Sequence, residues 1–201
     1  IFIHIYKVAG SSIRSVLSKY DDRDSSDLSF IDNSRLWFEN KFFGPTTSFL
    51  THLKASEVQN KIRASDFNNY FKFSFVRNPW DWQVSLYYFM MQKEDHRQHK
   101  LVRKMKGFEE YLDWRINNDL DLQKRFVYNS SGTLLVDFVG RFENIQTDFN
   151  FICDKIHIPR VKLPVTNTSN HRHYKEYYTE KTKKWVQEAF KEDIETFGYE
   201  F

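Results

Sequence analysis

The opening stretch, residues 1–14, constrains everything that follows it. Ile1, Phe2, Ile3 and Ile5 make an apolar run that reads as a strand; Lys7-Val8-Ala9-Gly10-Ser11-Ser12 follows, and a helical pattern starts at Ile13. An apolar strand, a turn of small residues and a helix with hydroxyls in its first turn form a cradle for an anion. The first N–H groups of a helix have no intrahelical partner and carry the positive end of its dipole. Gly10 can take φ > 0 and lets the backbone approach an oxyanion closely. Ser11 and Ser12 add hydroxyl donors, and Lys7 adds a full positive charge. The order differs from the common nucleotide loop, whose lysine follows its second glycine; here Lys7 precedes Gly10. The plainer alternative is a tight strand-to-helix turn with an exposed lysine and a capping serine, and this stretch alone leaves both open.

The chain has 201 residues, room for one domain over 1–201 with a substantial core. Its net charge of +3 suits an anionic ligand but is too small to argue for nucleic acid, which is not an expected partner. Cys153 stands alone, so neither an internal disulfide nor a cysteine zinc cluster can form. No run approaches the roughly 18 apolar residues of a membrane span. Because the chain begins inside an apparent strand, the expectation is a trimmed fragment, with any anchor or targeting signal upstream. The sequence sets no oligomeric state.

Strands are expected over 1–6, 48–51, 70–76 and 134–142, and helices over 11–20, 56–62, 80–92, 108–117, 144–156 and 179–197, with Gly198 as the cap of the last. Residues 21–33 are polar and acidic and read as a solvated loop. Residues 36–43 are apolar and aromatic and stop at the turn Gly44-Pro45. Residues 94–106 are rich in charge and histidine and read as a mobile or substrate-facing segment. Strands alternating with helices indicate an α/β fold with a mostly parallel sheet.

A second stretch carries chemistry: Phe73-Ser74-Phe75-Val76-Arg77-Asn78-Pro79-Trp80-Asp81-Trp82-Gln83-Val84-Ser85. Arg77 falls at the carboxyl end of a buried strand, the edge of a parallel sheet where ligands bind. Its guanidinium can fork onto a phosphate, and Ser85, about two turns into the next helix, can reach the same anion if that helix folds back over the crevice. The competing reading pairs Arg77 with Asp81 and buries Ser85 against the sheet. Trp80 and Trp82 are expected in the core rather than against a base.

Taken together, the two stretches resemble those of sulfotransferases. Residues 3–13 resemble the 5′-phosphosulfate loop, and Arg77-Asn78-Pro79 with Ser85 resembles the 3′-phosphate motif, a serine eight residues after the arginine. Arg141-Phe142-Glu143-Asn144-Ile145 and the tail from His173 to Tyr199 resemble the bacterial and Golgi-type carbohydrate sulfotransferases, so the likeness spans most of the chain. Tyr6 stands where that loop usually has Pro, and Val8 where it often has Thr; neither change removes a charge or the glycine.

The resemblance implies a three-layer, P-loop-like fold, its central, mostly parallel sheet flanked by helices. It also implies 3′-phosphoadenosine 5′-phosphosulfate as donor, with no metal. Its 5′ end would sit on Lys7, Ala9, Gly10, Ser11, Ser12 and Ile13, and its 3′-phosphate on Arg77 and Ser85. An arginine without a counter-ion would reject a nucleotide lacking that phosphate. Residues 164–172 resemble the loop that closes over the nucleotide, with Ser169 and Arg172 toward the 3′ side; an ordinary surface loop competes. Transfer needs a cation at the leaving phosphate, for which Lys7 is the candidate. It also needs a base for the acceptor hydroxyl, for which His52 is the candidate, in a context similar to the cytosolic branch of the superfamily. The competing reading of His52 is a residue at a helix start beside Lys54. His4, within an apolar strand, is read as a packed residue.

The expected acceptor is a hydroxyl of a carbohydrate. Arg97, Lys100, Arg103, Lys104 and Lys106 could meet an acidic glycan, with a solvated face as the competing reading. The compartment would be cytoplasmic for a bacterial chain, or the Golgi lumen through an upstream anchor. Two other classes stay open: a small nucleotide or sugar kinase, which would want a Gly-Lys-Ser/Thr order and a magnesium carboxylate, and a non-catalytic module binding adenosine 3′,5′-bisphosphate.

Overall fold

The structure is a computed structural model and describes residues 1–20, 52–165 and 171–201. The expected strand at 48–51, the stretches 21–33 and 36–43, and Ser169 lie outside the described residues.

Three parallel strands form a sheet in the order β1 (Phe2–Ile3), β2 (Phe73–Val76), β3 (Phe138–Arg141). Phe2 pairs with Phe73, and Phe73 in turn with Phe138, so all three carboxyl ends reach the same edge. The alternation in the sequence of β2 does not leave a solvated face: Phe73, Ser74, Phe75 and Val76 are all buried. A central parallel strand is covered on both sides, and its one polar side chain must find a partner inside. Ser74 Oγ does so, donating to the Ile3 carbonyl at 2.8 Å. Gly140 on β3 makes room for the Phe75 ring, whose Cε1 would lie 2.6 Å from an added Cβ.

Each strand leads into a helix. β1 is followed by α1 (Gly10–Leu17), and α2 (Ala55–Lys61) and α3 (Ala64–Asn69) precede β2. β2 runs through Arg77 and Asn78 into α4 (Pro79–Gln92). Asn78 caps α4 by accepting from the Trp80 amide at 3.0 Å, and Pro79 occupies the first position, where a missing N–H costs nothing. Trp80, Trp82, Val84, Ser85, Leu86 and Met90 are all buried, so α4 is a central helix without one wet face. Both tryptophans are core residues, as expected. α5 (His99–Val102), α6 (Phe108–Asn118) and α7 (Lys124–Val127) follow, then β3 and α8 (Ile145–Lys155). α4 packs against α5, α6 and the turn Tyr174–Tyr177.

The last expected helix is two. α9 (Glu180–Ala189), capped by Thr179, and α10 (Lys191–Phe197) meet at Phe190, whose φ of −106° and ψ of 22° break the run. Across the break, Asp193 turns into the core, where it is fully buried. Gly198 closes α10 at φ 62°, in the left-handed region that favours glycine there. α3 and α7 carry no periodic signal and were not expected. Among the described residues no helix is long and apolar enough to cross a membrane.

Candidate anion and transfer site

The loop after β1 is strained at two positions. Lys7 has φ 64° and Ala9 φ 61°, left-handed conformations that cost a residue with a Cβ roughly 1–2 kcal/mol each. The positive φ expected of Gly10 is thus carried by its neighbours. Gly10 is the first residue of α1, and its missing side chain serves a different end. The His4 imidazole occupies that space, with Nε2 1.7 Å from where a Cβ would stand. Ala9, which precedes α1, makes no side-chain cap, and the first-turn amides belong to Gly10, Ser11 and Ser12. Ser11 is exposed, Ser12 is buried behind it, and Ile13 is a core residue.

Lys7 Nζ lies 4.1 Å from the centroid of the Phe89 ring on α4 and has no carboxylate partner among the described residues. Burial lowers its pKa to about 8, with repulsion from Arg77 and then Lys93 adding to the shift.

Arg77 reaches the same loop from the end of β2. Its Nη1 donates to the Lys7 carbonyl at 3.1 Å, its Nε donates to Asp81 Oδ2 at 2.8 Å, and its guanidinium lies over the Phe142 ring at 4.1 Å. The expectation of an arginine without a counter-ion is therefore corrected: a guanidinium this buried needs a partner, and Asp81, one turn on, supplies it. Nη2 makes no hydrogen bond among the described residues and is the edge left for an anion. The backbone of Arg77 is gripped on both sides, its N–H donating to Gln123 Oε1 and its carbonyl accepting from Gln123 Nε2, each at 2.8 Å. Gln123 is held in turn by its own amide, which donates to Asp193 at 2.9 Å. Sequence reasoning passed over Gln123 and Asp193 because their link to Arg77 spans distant parts of the chain.

His52 is brought to the loop from 48 positions away. Its Nδ1 lies 3.1 Å from the His4 carbonyl, and its ring lies 4.6 Å from the His4 ring and 5.9 Å, edge-on, from Tyr6. A carbonyl only accepts, so Nδ1 carries the proton and Nε2 presents a lone pair. Partial burial of the ring lowers the His52 pKa, against the pull of the His4 carbonyl and with help from Arg14. A neutral imidazole whose Nε2 has no hydrogen-bond partner among the described residues has the form a general base needs. His4, read as a packing residue, thus also fixes the His52 tautomer.

The other expected ligands are placed differently. Ser85 is buried inside α4 at 1 % exposure. Arg172 is exposed, pairs with Glu176 at 3.1 Å and donates its amide to the Tyr177 hydroxyl. Its neighbour His171 stacks on Tyr88 of α4 at 5.5 Å, so this segment rides over the same helix that carries Ser85. Among the described residues, no three His, Cys, Asp or Glu side chains gather into a metal-binding group.

No curated protein matches the chain. Two cations from separate strand ends, one strained loop before a helix and one histidine beside it all lie within residues 1–200. The model of the sulfotransferase family matches that same span, and the chain belongs to this family.

Proposed function

We propose that the chain transfers a sulfuryl group from 3′-phosphoadenosine 5′-phosphosulfate to a carbohydrate hydroxyl, on a three-layer, P-loop-like fold of which the parallel sheet is the centre. The observation that carries this reading is the meeting of Lys7 and Arg77. Arg77 adds to the effect of burial in disfavouring the charged form of Lys7, which has no carboxylate partner among the described residues, and two such cations favour an anion between or beside them. The residues fit a ligand with two anionic ends. The α1 amides with Lys7, Ala9, Gly10, Ser11, Ser12 and Ile13 would hold the 5′ end; Arg77 through Nη2, Ser85, Ser169 and Arg172 would serve the 3′ side.

The donor brings the sulfuryl group and a nucleoside bisphosphate leaving group. Lys7 lowers the energy of the charge that develops on leaving. His52 Nε2 accepts the proton of the acceptor hydroxyl. Holding the two reactants in line supplies the remaining acceleration. Arg97, Lys100, Arg103, Lys104 and Lys106 are all exposed, which supports an acidic glycan as acceptor.

Incubation with radiolabelled donor and a panel of glycans tests the reading. Label on a glycan that disappears in His52→Ala supports it. Tight binding of adenosine 3′,5′-bisphosphate with no transfer to any glycan would reassign the chain as a nucleotide-binding module.

A further inference from the structure

Tyr6 immediately precedes Lys7 and is tied at both ends. Its carbonyl accepts from Trp82 Nε1 at 2.8 Å, and its ring stacks on Trp82 at 4.9 Å. Its hydroxyl accepts from Arg115 Nη2 at 2.6 Å, across 109 positions of sequence. Arg115 lies on α6 with its side chain 3 % exposed. Its Nη1 is held by both the carbonyl and the carboxylate of Asp119, the residue that follows α6. The Asp119 carboxylate also accepts from Gln98 Nε2 at 2.9 Å. Gln98 lies in the charged segment 94–106, at the start of α5. A continuous polar line therefore runs from that segment through Asp119, Arg115 and Tyr6 to the loop that carries Lys7.

The line is an expensive way to gain stability. Arg115 Nε is buried with no hydrogen-bond partner among the described residues, and so is the Tyr111 hydroxyl one turn earlier on α6. A buried guanidinium left with an unmet donor stabilises less than an apolar side chain of the same shape. Burial pushes the Tyr6 phenol far up, against the pull of Arg115, so the hydroxyl accepts from Arg115 as a neutral group. What the line does provide is position: the Tyr6 ring touches His52 on one side and its backbone continues into Lys7 on the other.

We infer that Tyr6 and Arg115 are positioning residues that couple the charged segment 94–106 to the anion loop and set Lys7 against His52. The kinetic consequence rests on the sulfuryl-transfer reading; the mechanical coupling does not.

Gln98→Ala cuts the line at its far end without touching the loop. Tyr6→Phe cuts it at the loop and keeps the ring against Trp82 and His52. Amide hydrogen exchange at residues 7–10 reads the loop directly, and both variants should speed it at least ~5-fold while α8 stays at the parent rate. In transfer assays kcat should fall about tenfold with the donor KM within about twofold, since misplacement costs rate more than binding. The double variant should be no slower than Tyr6→Phe, the mark of two residues acting in one line. Parent-rate exchange in the loop of Gln98→Ala, or effects of the two changes that simply add, would overturn the inference. A parent that moves no sulfuryl group would instead refute the functional reading, and the exchange result would still decide the coupling.

Discussion

Arg77 Nη1 donates to the main-chain carbonyl of Lys7 at 3.1 Å, so two residues 70 positions apart bring both charged motifs to one place. The contact joins the end of β2 to the loop after β1, and it does so through backbone on the Lys7 side. Lys7 Nζ stays outside this contact, against the Phe89 ring, and Arg77 Nη2 makes no hydrogen bond among the described residues. A bond of this kind fixes the distance between the two cations, which is what a ligand with two anionic ends requires.

Arg77→Lys should weaken adenosine 3′,5′-bisphosphate far more than adenosine 5′-monophosphate. A lysine keeps a charge but loses the fork, and a charge-assisted hydrogen bond is worth about 1.5–3 kcal/mol, or roughly 10- to 100-fold in affinity. Calorimetry with both nucleotides separates a lost phosphate contact from a general disturbance of the loop. Equal losses for the two would take Arg77 out of the 3′ side.

Gly10→Ala should damage the base as much as the cradle. The new methyl would collide with the His4 ring, which is packed between Phe2 at 5.4 Å and His52 at 4.6 Å and has little room to yield. Overpacking of this kind costs about 1–3 kcal/mol, visible as a lower melting temperature. Displacing His4 also moves the carbonyl that holds His52 Nδ1, so kcat should drop further than donor affinity. Gly107→Ala, where nothing lies within 4 Å of the added Cβ, is the matched control and should leave both unchanged.

The pH dependence of kcat/KM should show two limbs. Lys7 must be charged to meet the donor, and its pKa of about 8 places the alkaline limb there rather than near the ordinary lysine value of 10.5. His52 must be neutral to accept a proton, and its pKa, lowered from 6.5 by burial, places the acid limb below that value. Lys7→Arg, which cannot lose its charge in this range, should remove the alkaline limb and keep the acid one. His52→Ala should remove the acid limb along with most of the rate.

What could be read from the chain beforehand was what short-range physics fixes. The Pro79 start of α4 and the Gly198 end of α10 are local signals, and each stands where the pattern put it; the run Ile1–Ile5 does yield a strand, but only Phe2–Ile3 of the expected 1–6 pairs in the sheet. The pairing of Arg77 with Asp81 was also within reach, because residues four apart on a helical turn are neighbours. The left-handed turns at Lys7 and Ala9 were not, since nothing in a lysine or alanine announces φ > 0. Nor was the break at Phe190, which serves a contact between Asp193 and amides 70 positions earlier. The His52 tautomer was equally hidden, because it depends on one carbonyl 48 positions away.

Asp193 offers the last test, through the group that braces Arg77 at one remove. Its carboxylate accepts from the amides of Gln123 at 2.9 Å and Lys124 at 2.8 Å, and so caps α7 from across the chain. Burial raises its pKa from 3.8 to about 6, although both amide bonds favour the ionised form. The folded chain therefore binds a proton over a range in which the unfolded chain has released it. The stabilisation from this group is complete below 3.8 and is lost as the pH rises through about 6. In Asp193→Asn nothing titrates at this position. The unfolding free energy of the parent minus that of the variant should thus increase by on the order of 2 kcal/mol as the pH is lowered from about 8 to about 4. Denaturant titrations at a series of pH values measure the difference directly. A difference that stays flat, or that grows toward alkaline pH, would show that Asp193 is as comfortable ionised inside the protein as in water.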